Sequence, residues 1–357
     1  MNHSRSRRFT ESPLFRIKKP FNLLRKTVIN LDMKQVSLTL KPVAPFRLDY
    51  TVWALRRRPE NIVDTWEGRQ YRRVFHLNKA VFYVSVNQPE ASGQEDPLLE
   101  VKIKGERISA PDVKTIGRKL TRILGLNIEL PGFYEMAKKD RFLGPLANEF
   151  YGLKPPRFGS IFEALINAVA CQQLSLLVGI TLLNRLAQAY GEVFLMDGGR
   201  WAYSFPSPEA LADAGHGKIR ALGFSGHKAD TIIEISCITA NGRRGASRFD
   251  MEAAQELPDE EAENMLSSLK GIGRWSAQYV LLRGMGRLGV FPGDDVGARA
   301  KLRQWLGIEE PLDYAAVRRI AARWHPYGGF IYFHLLLKNL KSKGLILLST
   351  EKKEVYA

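Results

Sequence analysis

The chain has 357 residues, which is too long for one small core and predicts two domains. Its 53 Lys and Arg residues outnumber 37 Asp and Glu residues, so the formal net charge is +16. This excess predicts a polyanionic partner, nucleic acid before an anionic membrane surface. The longest apolar run, "LLVGITLL", is far shorter than the roughly 20 residues of a spanning helix, so no membrane role is expected.

The two cysteines, Cys171 and Cys237, form no Cys-x-x-Cys pair. A disulfide framework, a zinc knuckle and an iron-sulfur cluster are therefore disfavoured, and the composition is typical of a cytoplasmic protein without a cysteine-bound metal. Residues 1–32 are basic and are not followed by an apolar stretch, which argues against a secretory signal. We interpret them as a disordered arm or as an over-extended reading frame with Met33 as the true start.

The predicted strands come first along the chain. The runs "VSLTLK", "RQYRRVFHL", "AVFYVSV" and "LLEVKIKG" lie between Val36 and Val101 and are rich in β-branched and aromatic residues. A predicted helix over Pro111–Leu124 follows them. The simplest architecture is one antiparallel sheet with helices on one face, over residues 33–150.

A predicted domain boundary follows at Tyr151–Ser160, where "YGLKPPRFGS" has two prolines, two glycines and no periodicity. Beyond it the apolar residues recur at helical spacing, and Ser175 and Ser207 are predicted helix caps. We therefore predict an α+β fold in which an all-α domain spans residues 151–345, with a tail over 346–357.

A Gly-rich turn joins two predicted helices in "EEAENMLSSLKGIGRWSAQYVLLRGMG". Gly271 and Gly273 flank Ile272, which predicts a very tight turn with the isoleucine tucked between the helices. Such a turn aims backbone N–H groups and a helix N-terminus outward, where a phosphate oxygen can bind them. Lys270 and Arg274 flank the turn. The alternative is an ordinary Gly-rich connection between packed helices.

A doubled acid, Asp294 and Asp295, follows a Pro-Gly turn in "VFPGDDVGA" and opens a predicted helix. The next basic residue along the chain is Arg299. Aspartate is among the best helix N-caps, and a helix N-terminus keeps a carboxylate ionised. Capping and catalysis are therefore compatible at this position.

The segments "ACQQLS", "LGFSGHKA", "GIGRWSAQY", "VFPGDDVGAR" and "RWHPYGG" resemble, in this order, blocks of the helix-hairpin-helix superfamily of DNA glycosylases. The 3-methyladenine DNA glycosylase II family is the most similar branch. The resemblance covers Gly159 to about Leu340 and extends more loosely to the sheet. It implies a monomeric, cytoplasmic and nucleoid-associated enzyme that acts on double-stranded DNA in base excision repair. The enzyme would flip alkylated purines (3-methyladenine, 7-methylguanine) out of the duplex and hydrolyse their N-glycosidic bond without metal or cofactor.

The resemblance also implies roles for particular residues. Asp295 would be the catalytic carboxylate and Asp294 the helix cap. Trp275 stands where glycosylases that also cut the backbone carry a nucleophilic Lys, so no AP lyase activity is expected. Trp275 and Tyr279 would line the base pocket, and Gln173 would be the plug that fills the gap left by the flipped base. The alternative for Gln172 and Gln173 is interhelical hydrogen bonding.

For several other residues the sequence does not indicate one particular role. Leu336 occupies a place where another pocket aromatic is expected, with Tyr332 one turn earlier as a substitute, and His334 is expected to be buried or capping. Two alternatives stay open: a glycosylase for oxidised or deaminated bases, and a non-catalytic helix-hairpin-helix DNA-binding protein. Unpaired acids near phosphates would not help a simple binder. The candidate phosphate contacts, each with a solvated surface role as the alternative, are Lys228, Lys270, Arg274 and Arg283.

Overall fold

The computed structural model describes residues 33–93, 95–243, 251 and 253–346. The basic arm predicted for residues 1–32, and nearly all of the tail predicted for 346–357, lie outside the described residues. The strands are β1 (Lys34–Leu40), β2 (Thr65–Glu67), β3 (Gln70–Leu77), β4 (Ala80–Asn87), β5 (Leu99–Gly105), β6 (Val193–Leu195) and β7 (Trp201–Tyr203).

Most of the helices follow the sheet. They are α1 (Leu48–Arg56), α2 (Ala110–Leu124), α3 (Pro131–Lys139), α4 (Leu143–Glu149), α5 (Ile161–Cys171), α6 (Leu176–Tyr190), α7 (Pro208–Ala212), α8 (His216–Ala221), α9 (Gly226–Arg243), α10 (Asp259–Ser267), α11 (Arg274–Val280), α12 (Val296–Leu306), α13 (Tyr314–Ala322) and α14 (Gly328–Ser342). A π-helical turn over Leu281–Met285 continues α11.

The five-stranded sheet is antiparallel and has the order β1-β5-β4-β3-β2. Alternation along β5 buries Leu99, Val101 and Ile103 on one face. Helix α2 packs in the same core and begins with a reciprocal capping box between Ser109 and Asp112. The predicted antiparallel sheet followed by a helical region is confirmed.

Two hydrophobic cores hold the molecule together. The first contains buried residues of the sheet, α2, α5, α6, α9, α10 and α11, so the sheet and the helical region share apolar packing. The second joins α3 and α4 to α12, α13 and α14. Because α3 and α4 precede the predicted boundary at residues 151–160 but pack with the last helices, the division into domains remains a proposal.

Two local features differ from the expectation. The segment Leu48–Arg56 lies within the strand-like region but forms α1, whose nine residues are all buried. A helix that is buried on every side has no amphipathic period, so its sequence does not distinguish it from a strand. The short hairpin of β6 and β7 interrupts the region predicted to be all helical, and Phe194 on β6 stacks on Tyr83 of the sheet.

No helix within the described residues is long and apolar enough to cross a bilayer. The predicted caps Ser175 and Ser207 are confirmed, because their hydroxyls accept the N–H groups of Val178 and Ala210.

Candidate active site

An open cavity of about 930 Å³ lies where α14 meets the starts of α9 and α12, the α5–α6 turn and the α10–α11 turn. A cavity of this size can enclose a nucleobase with its sugar. Three of the predicted site residues that line it are Trp275, Tyr279 and Asp295. Gln173, Asp294, Tyr332 and Leu336 also line it.

The Gly-rich turn has the predicted geometry. Ile272 is only 3% exposed and packs in the first core, between the two helices of the hairpin. Gly271 has a φ of +80°, and a Cβ there would collide with the side chain of Thr231. Gly273 precedes α11, which begins without a side-chain cap, and a Cβ added at Gly273 would meet no atom within 4 Å. Backbone N–H groups at this helix start therefore lack a side-chain acceptor.

The helix cap was predicted to be Asp294, but in the structure it is Asp295. Helix α12 starts at Val296, so its N-cap is Asp295, whose Oδ1 accepts the N–H of Ala298 at 2.8 Å. Asp294 is not the cap. Its Oδ2 accepts from Arg274 Nε at 2.7 Å, an ion pair between the start of α11 and the loop before α12. The fold supplies this basic partner from 20 residues upstream.

Asp295 is held from a second direction by α14. The hydroxyl of Tyr332 donates to Asp295 Oδ2 at 3.1 Å. The carboxylate thus has one oxygen on a backbone N–H and the other on a phenol, and the two hydrogen bonds fix its orientation. Burial raises the pKa of the Tyr332 hydroxyl well above its ordinary value, so the phenol keeps its proton. The arrangement presents a fixed negative charge to the cavity.

An aromatic wall faces this charge. The rings of Trp275 and Tyr279 stack with centroids 5.4 Å apart and an interplanar angle of 30°. This follows from their i, i+4 spacing on α11. Tyr279 is 2% exposed, whereas Trp275 is half-buried. The wall therefore offers a flat apolar surface on which a planar ring can stack.

Arg57 lies behind the wall and was missed by the sequence analysis. It caps the C-terminus of α1 with a φ of +63° and is 2% exposed. Its Nη1 donates to the Tyr279 hydroxyl at 2.7 Å and its Nη2 to Asn167 Oδ1 at 2.6 Å. The run "RRR" at residues 56–58 resembles a solvated surface patch, and the decisive contact joins residues 222 positions apart. No local pattern signals it.

Comparisons with known proteins address the same region. Residues 166–326 match the family described as "HhH-GPD superfamily base excision DNA repair protein". The Schizosaccharomyces pombe protein "DNA-3-methyladenine glycosylase 1" is 33% identical over 173 residues, which are 46% of this chain and 70% of that protein. The chain belongs to the HhH-GPD superfamily of base excision DNA repair proteins.

Other members of the superfamily extend the likeness. A Bacillus subtilis "DNA-3-methyladenine glycosylase" is 29% identical over 210 residues, 59% of this chain and 67% of that protein. The solved 3-methyladenine DNA glycosylase of Archaeoglobus fulgidus superposes with a TM-score of 0.72 at 27% identity, covering 87% of this chain and 100% of that one. The chain spans 67%, 58% and 63% of the length of three bacterial relatives that it matches.

The two glutamines of the superfamily domain's α5–α6 turn behave differently. Gln172 Nε2 donates to the carbonyl of Gly271 at 2.8 Å and to Ser276 Oγ at 2.9 Å, so it ties this turn to the hairpin. This is the predicted interhelical hydrogen bonding. Gln173 is exposed at the cavity mouth with a φ of +54°. Its plug role stays a prediction.

The residues predicted to contact phosphate differ in their exposure to solvent. Arg283 is 0% exposed and donates to the carbonyls of Ala54 and Leu55 at the end of α1, so its prediction as a phosphate contact is wrong. A cation in a buried position satisfies carbonyls that the helix itself leaves unpaired. Lys270 is exposed beside the hairpin turn, as the prediction requires.

The side chains of Lys228 and His334 both contact backbone carbonyl groups. Lys228 Nζ donates to the carbonyls of Ala170 and Gln172 at the end of α5. His334 is buried, with Nδ1 3.1 Å from the carbonyl of Phe330, as expected for a core histidine. Burial lowers the pKa of the His334 imidazole to about 4, so this side chain is neutral near pH 7.

Proposed function

We propose that this chain is a monofunctional DNA glycosylase that initiates base excision repair. It flips alkylated purines, such as 3-methyladenine and 7-methylguanine, out of duplex DNA and hydrolyses their N-glycosidic bond. The observation that carries the proposal is the fixed carboxylate of Asp295 facing the Trp275–Tyr279 wall across one cavity. The relatives in Bacillus subtilis and Schizosaccharomyces pombe, which are named 3-methyladenine glycosylases, support the substrate class.

Asp295 supplies the charge that bond cleavage needs. As the base departs, positive charge develops on the sugar, as in glycoside hydrolysis. A preorganised carboxylate stabilises that charge and orients the water that attacks C1′. The hydrogen bonds from Ala298 and Tyr332 hold the carboxylate oriented before the substrate arrives. Neither a metal nor an organic cofactor takes part in the proposed reaction.

The aromatic wall would bind the flipped base. A purine methylated at N3 or N7 carries positive charge within the nucleotide, and electron-rich rings attract it by stacking and cation–π interaction. Trp275 lies on the solvent side of the pair and Tyr279 on the buried side. The charged base is already a good leaving group, so one carboxylate suffices as the catalytic residue.

The DNA duplex would lie across the cavity mouth. The hairpin residues Gly271 and Gly273 let the backbone approach a phosphate, with Lys270 beside them. Gln173, exposed on the adjacent turn, would fill the space that the flipped base leaves. The formal net charge of +16 favours association with double-stranded DNA. The enzyme would work as a monomer in the cytoplasm, associated with the nucleoid.

The proposal of a monofunctional enzyme requires that no lysine amine in the cavity attacks the sugar. Trp275 occupies the position of the lyase nucleophile. Two lysines line the cavity, and both ammonium groups donate to backbone carbonyls: Lys228 to Ala170 and Gln172, and Lys301 to Gly297. Burial lowers the pKa of both Lys228 and Lys301. A direct assay for a Schiff base is therefore the appropriate test.

The test uses duplex oligonucleotides that each contain one 7-methylguanine, 3-methyladenine or 8-oxoguanine. We expect release of the methylated purines, an abasic strand that breaks only after added alkali, and no covalent complex on borohydride treatment. A borohydride-trapped complex that disappears in Lys301→Arg would show a lyase and overturn the monofunctional assignment. Duplex binding without release of any base would favour the binding-module alternative.

A further inference from the structure

We propose that the groove between β1 and α2 is a docking surface for an extended, acidic segment of a partner protein, which adds a strand to the free edge of the sheet. The groove has a volume of about 420 Å³ and is lined by residues of β1 and α2, among them Leu38, Leu40 and Gly117. It shares no lining residue with the cavity of the candidate active site. The inference is therefore independent of the proposed function and concerns a second binding surface.

The first support is the free edge of β1. The sheet order β1-β5-β4-β3-β2 places this strand at one end, where it pairs with β5 along all of Lys34–Leu40. Within the described residues, no strand pairs with its other side. Alternate residues of an antiparallel edge strand direct their N–H and C=O groups away from the sheet, and a strand of another chain can pair with them. Strand β2, at the opposite end, has only three residues, so β1 offers the longer row of free groups.

The second support is an apolar row on β1 that the fold leaves partly open. Val36 and Leu38 stand opposite Ile103 and Val101 in the register, and both of these β5 residues are buried. Side chains that are opposite each other in an antiparallel pair lie on the same face, so the row faces the core side of the sheet. Nevertheless, Val36 is 37% exposed and Leu38 is only half-buried. Helix α2 therefore covers the row in part, and an added strand would extend the cover.

Helix α2 forms the second wall of the groove. Val113, Gly117 and Thr121 recur every four residues, so they share one face of the helix. A Cβ added at Gly117 would lie 3.8 Å from Leu38 and 4.0 Å from Leu40, so helix and strand approach each other at this glycine. Because alternate side chains of an extended peptide point to one side, its apolar residues can enter the groove while the others stay outside.

The third support is the charge at the rim, which decides the chemistry of the partner. Lys114 and Arg118 line the groove, are exposed and follow each other by one turn of α2. Lys34, at the start of β1, is exposed as well. Among the described residues, none of these three cations has an ion-pair partner, and no acidic side chain lines the groove. Carboxylates on a docked peptide would be attracted, whereas the chain's own residues 1–32, which are basic, suit the rim less.

The experiment measures, by fluorescence anisotropy, the binding of two labelled seven-residue peptides to the full chain. Valine alternates with glutamate in one peptide and with lysine in the other, and seven residues match the length of β1. We expect saturable binding of the glutamate peptide, at least about tenfold tighter than that of the lysine peptide. Hydrogen exchange of the β1 amides should become slower when the glutamate peptide is bound, which locates the site. Release of 7-methylguanine should be the same with and without the peptide.

Two variants test the surface without touching the candidate active site. Lys114→Glu combined with Arg118→Glu reverses the charge of the rim, and Val36→Glu places a carboxylate in the open apolar row. Each should weaken binding of the glutamate peptide at least about tenfold. Lys139→Glu, at an exposed position of α3, is the matched control and should bind this peptide as wild type does. All the substituted side chains are exposed, so the fold should persist, and thermal melting checks this.

The outcomes that would overturn the inference differ from those that bear on the proposed function. Equal affinity for the two peptides, or no saturable binding, would show that the groove does not recognise an acidic strand. A dimer in sedimentation velocity that Val36→Glu dissociates would show that a second copy of the chain occupies the edge. Weaker binding of duplex DNA by the rim variant, with peptide binding unchanged, would assign the rim to nucleic acid. Failure of wild type to release any methylated purine would contradict the proposed function and leave the peptide result standing.

Discussion

The hydroxyl of Tyr332 on α14 donates a hydrogen bond of 3.1 Å to Oδ2 of Asp295, the N-cap of α12. The other oxygen, Oδ1, accepts the backbone N–H of Ala298. The orientation of the carboxylate is thus set by two helices that pack in the same core. Preorganisation of this kind is what a charge-stabilising group requires.

Tyr332→Phe is expected to slow base release about three- to tenfold, because it removes one of the two bonds that orient Asp295 and keeps the ring. Single-turnover kinetics on a 7-methylguanine duplex, with DNA affinity measured in parallel, check this. Tyr83→Phe, on the sheet, is the control and should leave the rate unchanged. A weaker affinity with an unchanged rate would show that Tyr332 binds DNA instead of positioning the carboxylate.

The two glycines of the hairpin should respond differently to alanine. Gly271→Ala is expected to lower the free energy of unfolding by at least about 1 kcal/mol, since its φ is +80° and the new methyl group collides with Thr231. Gly273→Ala has open space around it and should leave stability nearly unchanged, yet weaken DNA binding where the backbone meets phosphate. Urea unfolding and fluorescence anisotropy measure the two effects. Equal stability losses would contradict the distinction.

Asp294→Asn is expected to retain base release within about threefold. The Arg274–Asp294 pair is partly exposed, and such pairs contribute about 1 kcal/mol or less. The variant therefore tests whether Asp294 is structural. Base release and urea unfolding are measured together, with Arg274→Gln as the partner variant. A loss of base release in Asp294→Asn that greatly exceeds its loss of stability would show that Asp294 takes part in catalysis.

His334 should make stability depend on pH in one window. Burial holds the pKa of the folded imidazole at about 4, against an ordinary value of 6.5, so the unfolded chain binds the proton first as the pH falls. This contribution to the free energy of unfolding therefore decreases from about pH 6.5 to about pH 4, by about 3 kcal/mol. Above pH 6.5 the imidazole is neutral in both states, so His334 gives the free energy of unfolding no pH dependence there.

Urea unfolding at pH 7.5, 6 and 4.5 measures this effect as the difference between wild type and His334→Gln. His76→Gln, at an exposed position of β3, is the control and should follow wild type at every pH. A constant difference between wild type and His334→Gln across the three pH values would show that His334 titrates normally.

Strong local signals in the sequence predicted much of the fold. Strands β4 and β5 alternate in burial, and α2 begins within one residue of its predicted start, with a capping box at its N-terminus. Helix α1 escaped prediction because all nine of its residues are buried, so no exposed polar face separates it from the neighbouring strands. Strands β6 and β7 have three residues each, too few for an alternation to be visible.

The site was predictable where its residues are neighbours along the chain. Trp275 and Tyr279 share a helix face at i, i+4, and Asp295 follows its motif. The order of the two aspartates was not predictable, because both residues are good caps and a shift of one residue in the start of α12 exchanges them. Arg57 and Arg283 were missed or misassigned since burial of a cation depends on contacts made by distant segments.

Single-turnover release of 7-methylguanine by Asp295→Asn tests the central claim most directly. Asparagine caps a helix as well as aspartate does, so the fold should persist while the negative charge is lost. The rate should fall at least about a hundredfold, with affinity for the duplex within about threefold of wild type. A rate equal to that of wild type, with melting and affinity unchanged, would contradict the assignment of Asp295 as the catalytic carboxylate.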